Sequence, residues 1–321
     1  MKSIEFNRIE GFETGHAQDT VAGTGCTVIL CRQGAVTGVD VRGGAPATRE
    51  TDLLNPVNLV QQAHAVLLTG GSAFGLDAAA GVMAFLEERQ IGFNVQVTHV
   101  PIVCGAALFD LAVGDHRIRP DREMGYRACL AAGTREIPQG SVGAGTGATV
   151  GKLCGMDRAM KGGLGWAAFQ VRDLKVGALA AVNCLGDVLD PETGKKLAGL
   201  LNPEKTALAD TETLMIESLG PDSRLFAGNT SLGVVVTNAD LTQARAAKLA
   251  AMAQNGFART LRPAHSMYDG DTVFAMSCGN VAADLSVIGI LAARAMGRAV
   301  AAAVNSARTL CRIPGRRDLN L

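Results

Sequence analysis

Short, uninterrupted apolar runs limit the possible folds more than any other feature of this chain. Residues 26–31, 35–41, 65–68, 95–103, 165–171, 177–185 and 232–237 are apolar and enriched in β-branched residues, and most are bounded by Gly or Asp. Such runs suit strands whose sheet is covered on both faces. Between them, residues 72–89, 123–132, 207–219, 241–261 and 282–307 carry apolar positions at helical spacing. The pattern predicts sheet layers covered by helices. With 321 residues, 48% of them hydrophobic, the chain can build one large core or two modest ones.

Glycine and alanine are abundant and aromatic residues scarce, with Trp166 as the one tryptophan, so closely packed layers with backbones approaching at small residues are expected. Thirty basic and thirty acidic residues cancel, which leaves no broad electrostatic footprint for nucleic acid or anionic lipid and favours a small partner. The eight cysteines (Cys26, Cys31, Cys104, Cys129, Cys154, Cys184, Cys278, Cys311) lie in apolar segments without CxxC spacing, so they read as buried free thiols and no metal site is expected. No cofactor is expected either.

The opening MKSIEFNRIEGF lacks the apolar stretch of a secretory signal, and cytoplasmic residence is the expectation. Residues 285–304 tempt a membrane assignment, but Arg294 and Arg298 interrupt them, whereas a spanning helix needs about 20 mostly apolar residues. A buried helix is expected there. The stretch 119–147, rich in Pro, Gly and charge, reads as a surface excursion within one domain spanning 1–321, and no internal repeat is visible. A polar turn at 221–228 leads into Asn229-Thr230-Ser231 and a buried strand.

Two glycine-rich segments invite a ligand reading. SVGAGTGATVGK (141–152) fails as a Walker A loop, because Thr146 stands five before Gly151 where Gly is required and Leu153 replaces the magnesium-binding Ser or Thr. Its GxGxxA match at Gly143, Gly145 and Ala148 needs a strand-turn-helix setting to mean anything. LLTGGSAFGLDAAAG (67–81) reads as a strand, a Gly70-Gly71 turn, and Ser72 capping the next helix.

A threonine hydroxyl needs a nearby base, and one solution is the residue's own α-amine, exposed when the preceding peptide bond is cut. An α-amine titrates at roughly 7.7–8.0, close enough to neutrality to accept and return a proton. For Thr230 this would require attack of its hydroxyl on the Asn229 carbonyl, an N-to-O acyl shift, and ester hydrolysis. By itself GNTSLGVVVTNA (228–239) is an ordinary turn entry to a strand.

The motifs AGTGCTVIL (22–30), VRGGAPATRETDLL (41–54), LLTGGSAFGLDAAAGVM (67–83), VGAGTGATVGK (142–152), GNTSLGVVVTNA and YDGDTVF (268–274) change the weighting. Through them the chain, from near residue 11 to near residue 305, resembles the N-terminal-nucleophile hydrolase family of L-aminopeptidase/D-esterase and β-peptidyl aminopeptidases, which includes the nylon-oligomer (6-aminohexanoate-oligomer) endo-hydrolases. The resemblance implies an α+β fold, a four-layer αββα sandwich, self-cleaved into 1–229 and 230–321, and a homo-oligomer, with tetramers among its members. It implies Thr230 as nucleophile, Asp269 and Asp271 as catalytic carboxylates, Lys152 as a cation near the attacked carbonyl, and Asn183 as an oxyanion donor.

Members with aminopeptidase activity usually carry serine at the nucleophile position, so Thr230 points to the oligoamide-hydrolase branch. Phe109 stands where the family often has a tyrosine and becomes a substrate-pocket candidate. His265 reads as structural or peripheral, since an N-terminal nucleophile needs no imidazole. The expected activity is amide hydrolysis of small peptides or linear oligoamides. Behind it stand an aminopeptidase or β-aminopeptidase, an acyltransferase of the ornithine acetyltransferase type, and a non-catalytic scaffold that never matures.

Overall fold

In a computed structural model, which describes residues 1–133, 137–218 and 228–319, most of the apolar runs become strands of one ten-stranded sheet. The strands are β1 (Lys2–Ile4), β2 (Glu13–Asp19), β3 (Thr24–Val41), β4 (Thr48–Arg49), β5 (Gln62–Thr69), β6 (Val103–Ala107), β7 (Gly163–Val171), β8 (Leu174–Val182), β9 (Leu232–Ala239) and β10 (Thr272–Val281). Their order is β1-β7-β8-β9-β10-β3-β5-β6-β4, with β2 also paired to β3. The pairs β9/β10 and β5/β6 are parallel, and β8/β9 and β10/β3 are antiparallel.

Strand β3 turns this sheet into two layers. Its first half pairs with β2 and β5, its last six residues pair with β10, and the register shifts between Leu30 and Ala35. Side chains then alternate between separate cores, as the period of two demands. Leu232, Val234 and Val236 of β9 and Phe274 and Met276 of β10 meet Ile29 of β3 and Val66 and Leu68 of β5 in a core between the two leaves.

The opposite faces are covered by helices. Val235 of β9 and Val273 and Ala275 of β10 pack under α4 (Gln243–Thr260) and α5 (Leu285–Ser306). Val28 and Leu30 of β3 and Leu67 of β5 pack under α1 (Ala78–Glu87) and α2 (Arg122–Leu130). Among the described residues the remaining α-helix, α3 (Thr211–Glu217), is short and capped by the Asp210 carboxylate. Three cores between four layers give the αββα sandwich. Each large aliphatic side chain buried in them contributes roughly 1.5–3 kcal/mol.

Small residues set the layer spacing. A Cβ on Gly165 of β7 would lie 2.2 Å from the Ala299 carbonyl oxygen of α5, so this helix reaches its sheet only because glycine is there. Helix α5 is long and apolar enough to cross a membrane by composition, yet it is mostly buried against the sheet.

Several expectations need correction. The runs 26–31 and 35–41 are one strand interrupted by a bulge, and 95–103 holds only part of a short hairpin (Phe93–Asn94 with His99–Val100) before β6 begins. Strand β2 and all of β10 carried no sequence assignment, because Glu13–Asp19 is largely polar and β10 follows directly on a turn motif. Ser72 does not cap a helix: it has φ +54° and opens a 3-10 turn (Ser72–Asp77) ahead of α1. Gly143–Gly145 form another 3-10 turn leading to a two-residue strand, which removes the helix that a dinucleotide reading requires. Cys154 is exposed and Cys278 and Cys311 partly so. The helix expected at 123–132 is α2, inside the stretch 119–147, with Tyr126 edge-on to Phe85 of α1. Of the expected turn at 221–228, residues 221–227 lie outside the described residues, as does the helix end at Leu219.

Candidate active site

Sheet register brings three strand ends together. Ala181 of β8 pairs with Leu232 of β9, and Leu232 pairs with Thr272 of β10. Stepping out by two residues sets Thr230 between Asn183, just past the end of β8, and Gly270, just before β10. The bonds follow that register: the Thr230 N–H donates to the Asn183 carbonyl at 3.0 Å, and the Gly270 N–H donates to the Asn229 carbonyl at 2.9 Å.

The Thr230 hydroxyl donates to the carbonyl oxygen of Asn229, the residue before it, at 2.5 Å. The Thr230 hydroxyl is therefore in direct contact with the carbonyl that precedes it. Both residues are buried, 4% and 2% exposed.

Lys152 follows the two-residue strand Thr149–Val150 and lies buried rather than facing solvent. Its Nζ donates to the Asn183 carbonyl (3.0 Å), Asn183 Oδ1 (3.0 Å) and the Gly228 carbonyl (3.1 Å). All three ammonium protons thus have acceptors. Burial nevertheless pushes its pKa down to about 7, opposed by Cys184, Asp269, Asp110 and Asp271.

Asn183 is fixed from both ends. Its Oδ1 also accepts from the Thr149 N–H at 2.9 Å, while Nδ2 donates to the Phe109 carbonyl at 3.0 Å and leans toward the Gly228 carbonyl at 3.4 Å. Phe109 is partly buried and touches this cluster through its backbone.

The two aspartates have different partners. Asp271 Oδ1 accepts the Ser231 N–H at 2.8 Å, and Oδ2 accepts from the N–H and Nδ1 of His265, each at 3.0 Å. Asp269 bridges Asn229 in parallel fashion; its Oδ2 accepts from the Ser266 N–H (3.1 Å) and hydroxyl, and its buried Oδ1 has no partner among the described residues. Burial, and then the charge of Asp271, raise the Asp269 pKa to about 6.

Glycine between them is obligatory. A Cβ on Gly270 would lie 2.6 Å from Thr230 Oγ and 2.6 Å from the Ala45 carbonyl oxygen. Residues 42–45 clasp the same segment, with the Arg42 N–H on the Asp271 carbonyl (2.9 Å) and the Ala45 N–H on the Asp269 carbonyl (2.8 Å).

Thr230, Asn229, Lys152, Asn183, Asp269 and Asp271 therefore meet in one buried cluster, with Phe109 at its margin. Asp271 holds the N–H of Ser231, one residue beyond Thr230. The sequence reading missed the Gly270 N–H, Ser231 and Ser266, and it set His265 aside; the HS pair ahead of MYDGD was the available signal. It also missed two further buried charged residues, Asp110 and Lys161. Asp110 accepts from Thr24 Oγ (2.8 Å) and the Gly71 N–H (2.7 Å), while Lys161 Nζ donates to the carbonyls of Thr146 (2.6 Å) and Ala148 (2.7 Å). Burial raises the first pKa to about 6 and lowers the second to about 7.

The sequence pattern of peptidase family S58 matches residues 7–316. An uncharacterized aminopeptidase of Mycobacterium bovis is 40% identical over 341 aligned residues, covering 97% of this chain and 96% of that protein. A 6-aminohexanoate-oligomer endohydrolase of Kocuria sp. is 30% identical over 275 residues, covering 84% of this chain and 74% of that one. Among solved structures, the L-aminopeptidase D-Ala-esterase/amidase of Ochrobactrum anthropi, described as a variant of the N-terminal-nucleophile hydrolase fold, superposes with a TM-score of 0.71 at 17% identity, covering 95% of this chain and 87% of that one.

Proposed function

Because this chain belongs to peptidase family S58 and is thereby a peptidase or amidohydrolase, we propose that it cuts its own Asn229-Thr230 bond and then hydrolyses amides with Thr230 as nucleophile. The contact between the Thr230 hydroxyl and the Asn229 carbonyl carries this reading. In the first stage Thr230 Oγ attacks the Asn229 carbonyl carbon and its proton passes to Asp269. Negative charge gathers on the Asn229 oxygen, where the Gly270 N–H already donates. The C–N bond breaks, the Thr230 nitrogen takes a proton, and water hydrolyses the ester to give fragments 1–229 and 230–321.

In the second stage the freed α-amine of Thr230 is the base for its own hydroxyl. Lys152 shares the Asn183 carbonyl with that amine, so when it is protonated, below about pH 7, its charge favours the neutral form of the amine. Removal of the Gly228 carbonyl from the cluster would release one donor of Lys152 and one of Asn183 for a substrate carbonyl. Thr230 then attacks, the amine component leaves, and water releases the acyl group.

The substrate class is small peptides or linear oligoamides, and threonine as nucleophile favours the latter. Higher identity to the mycobacterial aminopeptidase than to the oligomer endohydrolase favours an aminopeptidase as the second reading. A panel of aminoacyl anilides beside a 6-aminohexanoate oligomer separates the two. On the family resemblance we also propose a homotetramer, to be tested by light scattering.

The decisive experiment is a denaturing gel with intact-mass measurement. Wild type should give two fragments that join at Asn229-Thr230, and Thr230→Ala one uncut, inactive chain. Two fragments from Thr230→Ala would remove Thr230 as the nucleophile.

A further inference from the structure

Two adjacent residues, His265 and Ser266, treat the two aspartates in the same way. Each gives both its backbone N–H and a side-chain donor to a single carboxylate oxygen: His265 to Asp271 Oδ2, Ser266 to Asp269 Oδ2. A carboxylate oxygen only accepts, so His265 Nδ1 carries the proton in this contact. His265 has φ +57°, a left-handed conformation uncommon outside glycine, and it is in this conformation that both of its donors reach one oxygen.

The consequences differ for the two acids. With Oδ2 held by His265, Asp271 presents Oδ1 to the Ser231 N–H and so ties down the residue after Thr230. With Oδ2 held by Ser266, Asp269 keeps Oδ1 buried and without a partner among the described residues. Two otherwise similar carboxylates are thereby given different tasks.

We propose that His265 and Ser266 are a paired clamp of positioning residues, the first fixing Asp271 as an anchor for the nucleophile strand and the second leaving Asp269 Oδ1 as the oxygen that receives the Thr230 proton. The inference rests on the Thr230 reading above. Neither residue enters the covalent chemistry. The proton leaves Thr230 Oγ as its bond to the Asn229 carbonyl carbon forms, and Asp269 later returns it to the departing nitrogen.

The test compares donor-deleting with donor-keeping variants in the full chain. His265→Leu and Ser266→Ala delete the side-chain donors; His265→Asn keeps an N–H near the Nδ1 position, and Ser266→Thr keeps the hydroxyl. Rates of self-cleavage on gels are measured with kcat and KM on an amide substrate, and thermal unfolding reports folding. His265→Leu and Ser266→Ala should lose about tenfold to a hundredfold in self-cleavage and in kcat, the loss expected when a hydrogen bond to a charged group is removed. KM should change less than about threefold, and the donor-keeping variants His265→Asn and Ser266→Thr should retain most of the wild-type rate.

Folded deletion variants that cut and turn over at wild-type rates would overturn the clamp, as would equal losses in the conservative variants. Should His265→Leu not fold, His265→Asn against His265→Gln decides, because the longer amide moves the donor away from the Nδ1 position; equal rates would count against the proposal. Thr230→Ala runs alongside. Cutting in that control defeats the nucleophile reading itself, whereas an uncut control beside fast-cutting clamp variants defeats only the clamp.

Discussion

The Nζ of Lys152 and the backbone nitrogen of Thr230 donate to the same atom, the carbonyl oxygen of Asn183, each at 3.0 Å. On the proposed self-cleavage, this shared acceptor would place Lys152, charged below about pH 7, beside an α-amine that has to work unprotonated. Removing the charge should raise the amine's pKa. Lys152→Met is therefore expected to move the acid limb of the activity profile upward by up to about one pH unit and to lower kcat. An unmoved limb in a folded, processed variant would show that Lys152 does not tune the amine.

Asp269 offers a second pH signature, for the proposed self-cleavage. Its pKa is raised to about 6 by burial and by Asp271, and only the ionised form can take the Thr230 proton. Self-cleavage should therefore rise as pH increases through about 6 and then level off. Asp269→Asn should slow it by about 100-fold to 10,000-fold, the range for loss of a positioned base. Gel time courses from pH 4.5 to 8 of freshly refolded precursor, about a unit and a half to either side, would reveal the step.

Gly270 is the residue whose replacement most directly displaces Thr230. Gly270→Ala puts a methyl group 2.6 Å from Thr230 Oγ, so Thr230 or the 42–45 clasp must move. We expect a stability loss of about 1–3 kcal/mol from overpacking, with self-cleavage nearly abolished. Denaturant unfolding and a gel measure the two effects separately, and a variant that cuts normally would contradict the contact.

Lys161 offers a test through stability. Its pKa falls from 10.5 to about 7 in the folded chain because burial disfavours the charge. Between these values the unfolded chain binds the extra proton, so this residue makes stability rise with pH from about 7 toward 10.5; below about 7 the cost of burying the charge is fully present. Lys161→Met should flatten the slope by up to about 1.4 kcal/mol per pH unit relative to wild type, as read from denaturant unfolding at pH 7 to 10.

Much of the architecture was legible because it is written in local patterns. Continuous apolar runs are what a strand covered on both faces requires, and helical spacing marked α1, α2, α4 and α5 to within a few residues or one turn at most ends. Polar Glu13–Asp19 escaped notice because its strand character comes from pairing with β3 rather than from its own composition. Cys26–Cys31 and the run from Ala35 looked like two strands because the intervening polar bulge resembles a turn.

Of the site, the sequence by itself determined the reactive parts: a threonine that becomes a nucleophile if freed, two acids separated by one glycine, and a lysine closing a glycine-rich segment. Chemical type is local information, and a whole-chain resemblance told which of these parts belong together. Only the tertiary structure decided their states. Lys152 and Asp269 have shifted pKa values because folding removes water from them, Gly270 is required because strand register carries it against Thr230, and His265 matters because a left-handed turn sets two of its donors on Asp271. Burial, register and convergence are properties of distant segments brought together, which no single stretch of sequence contains.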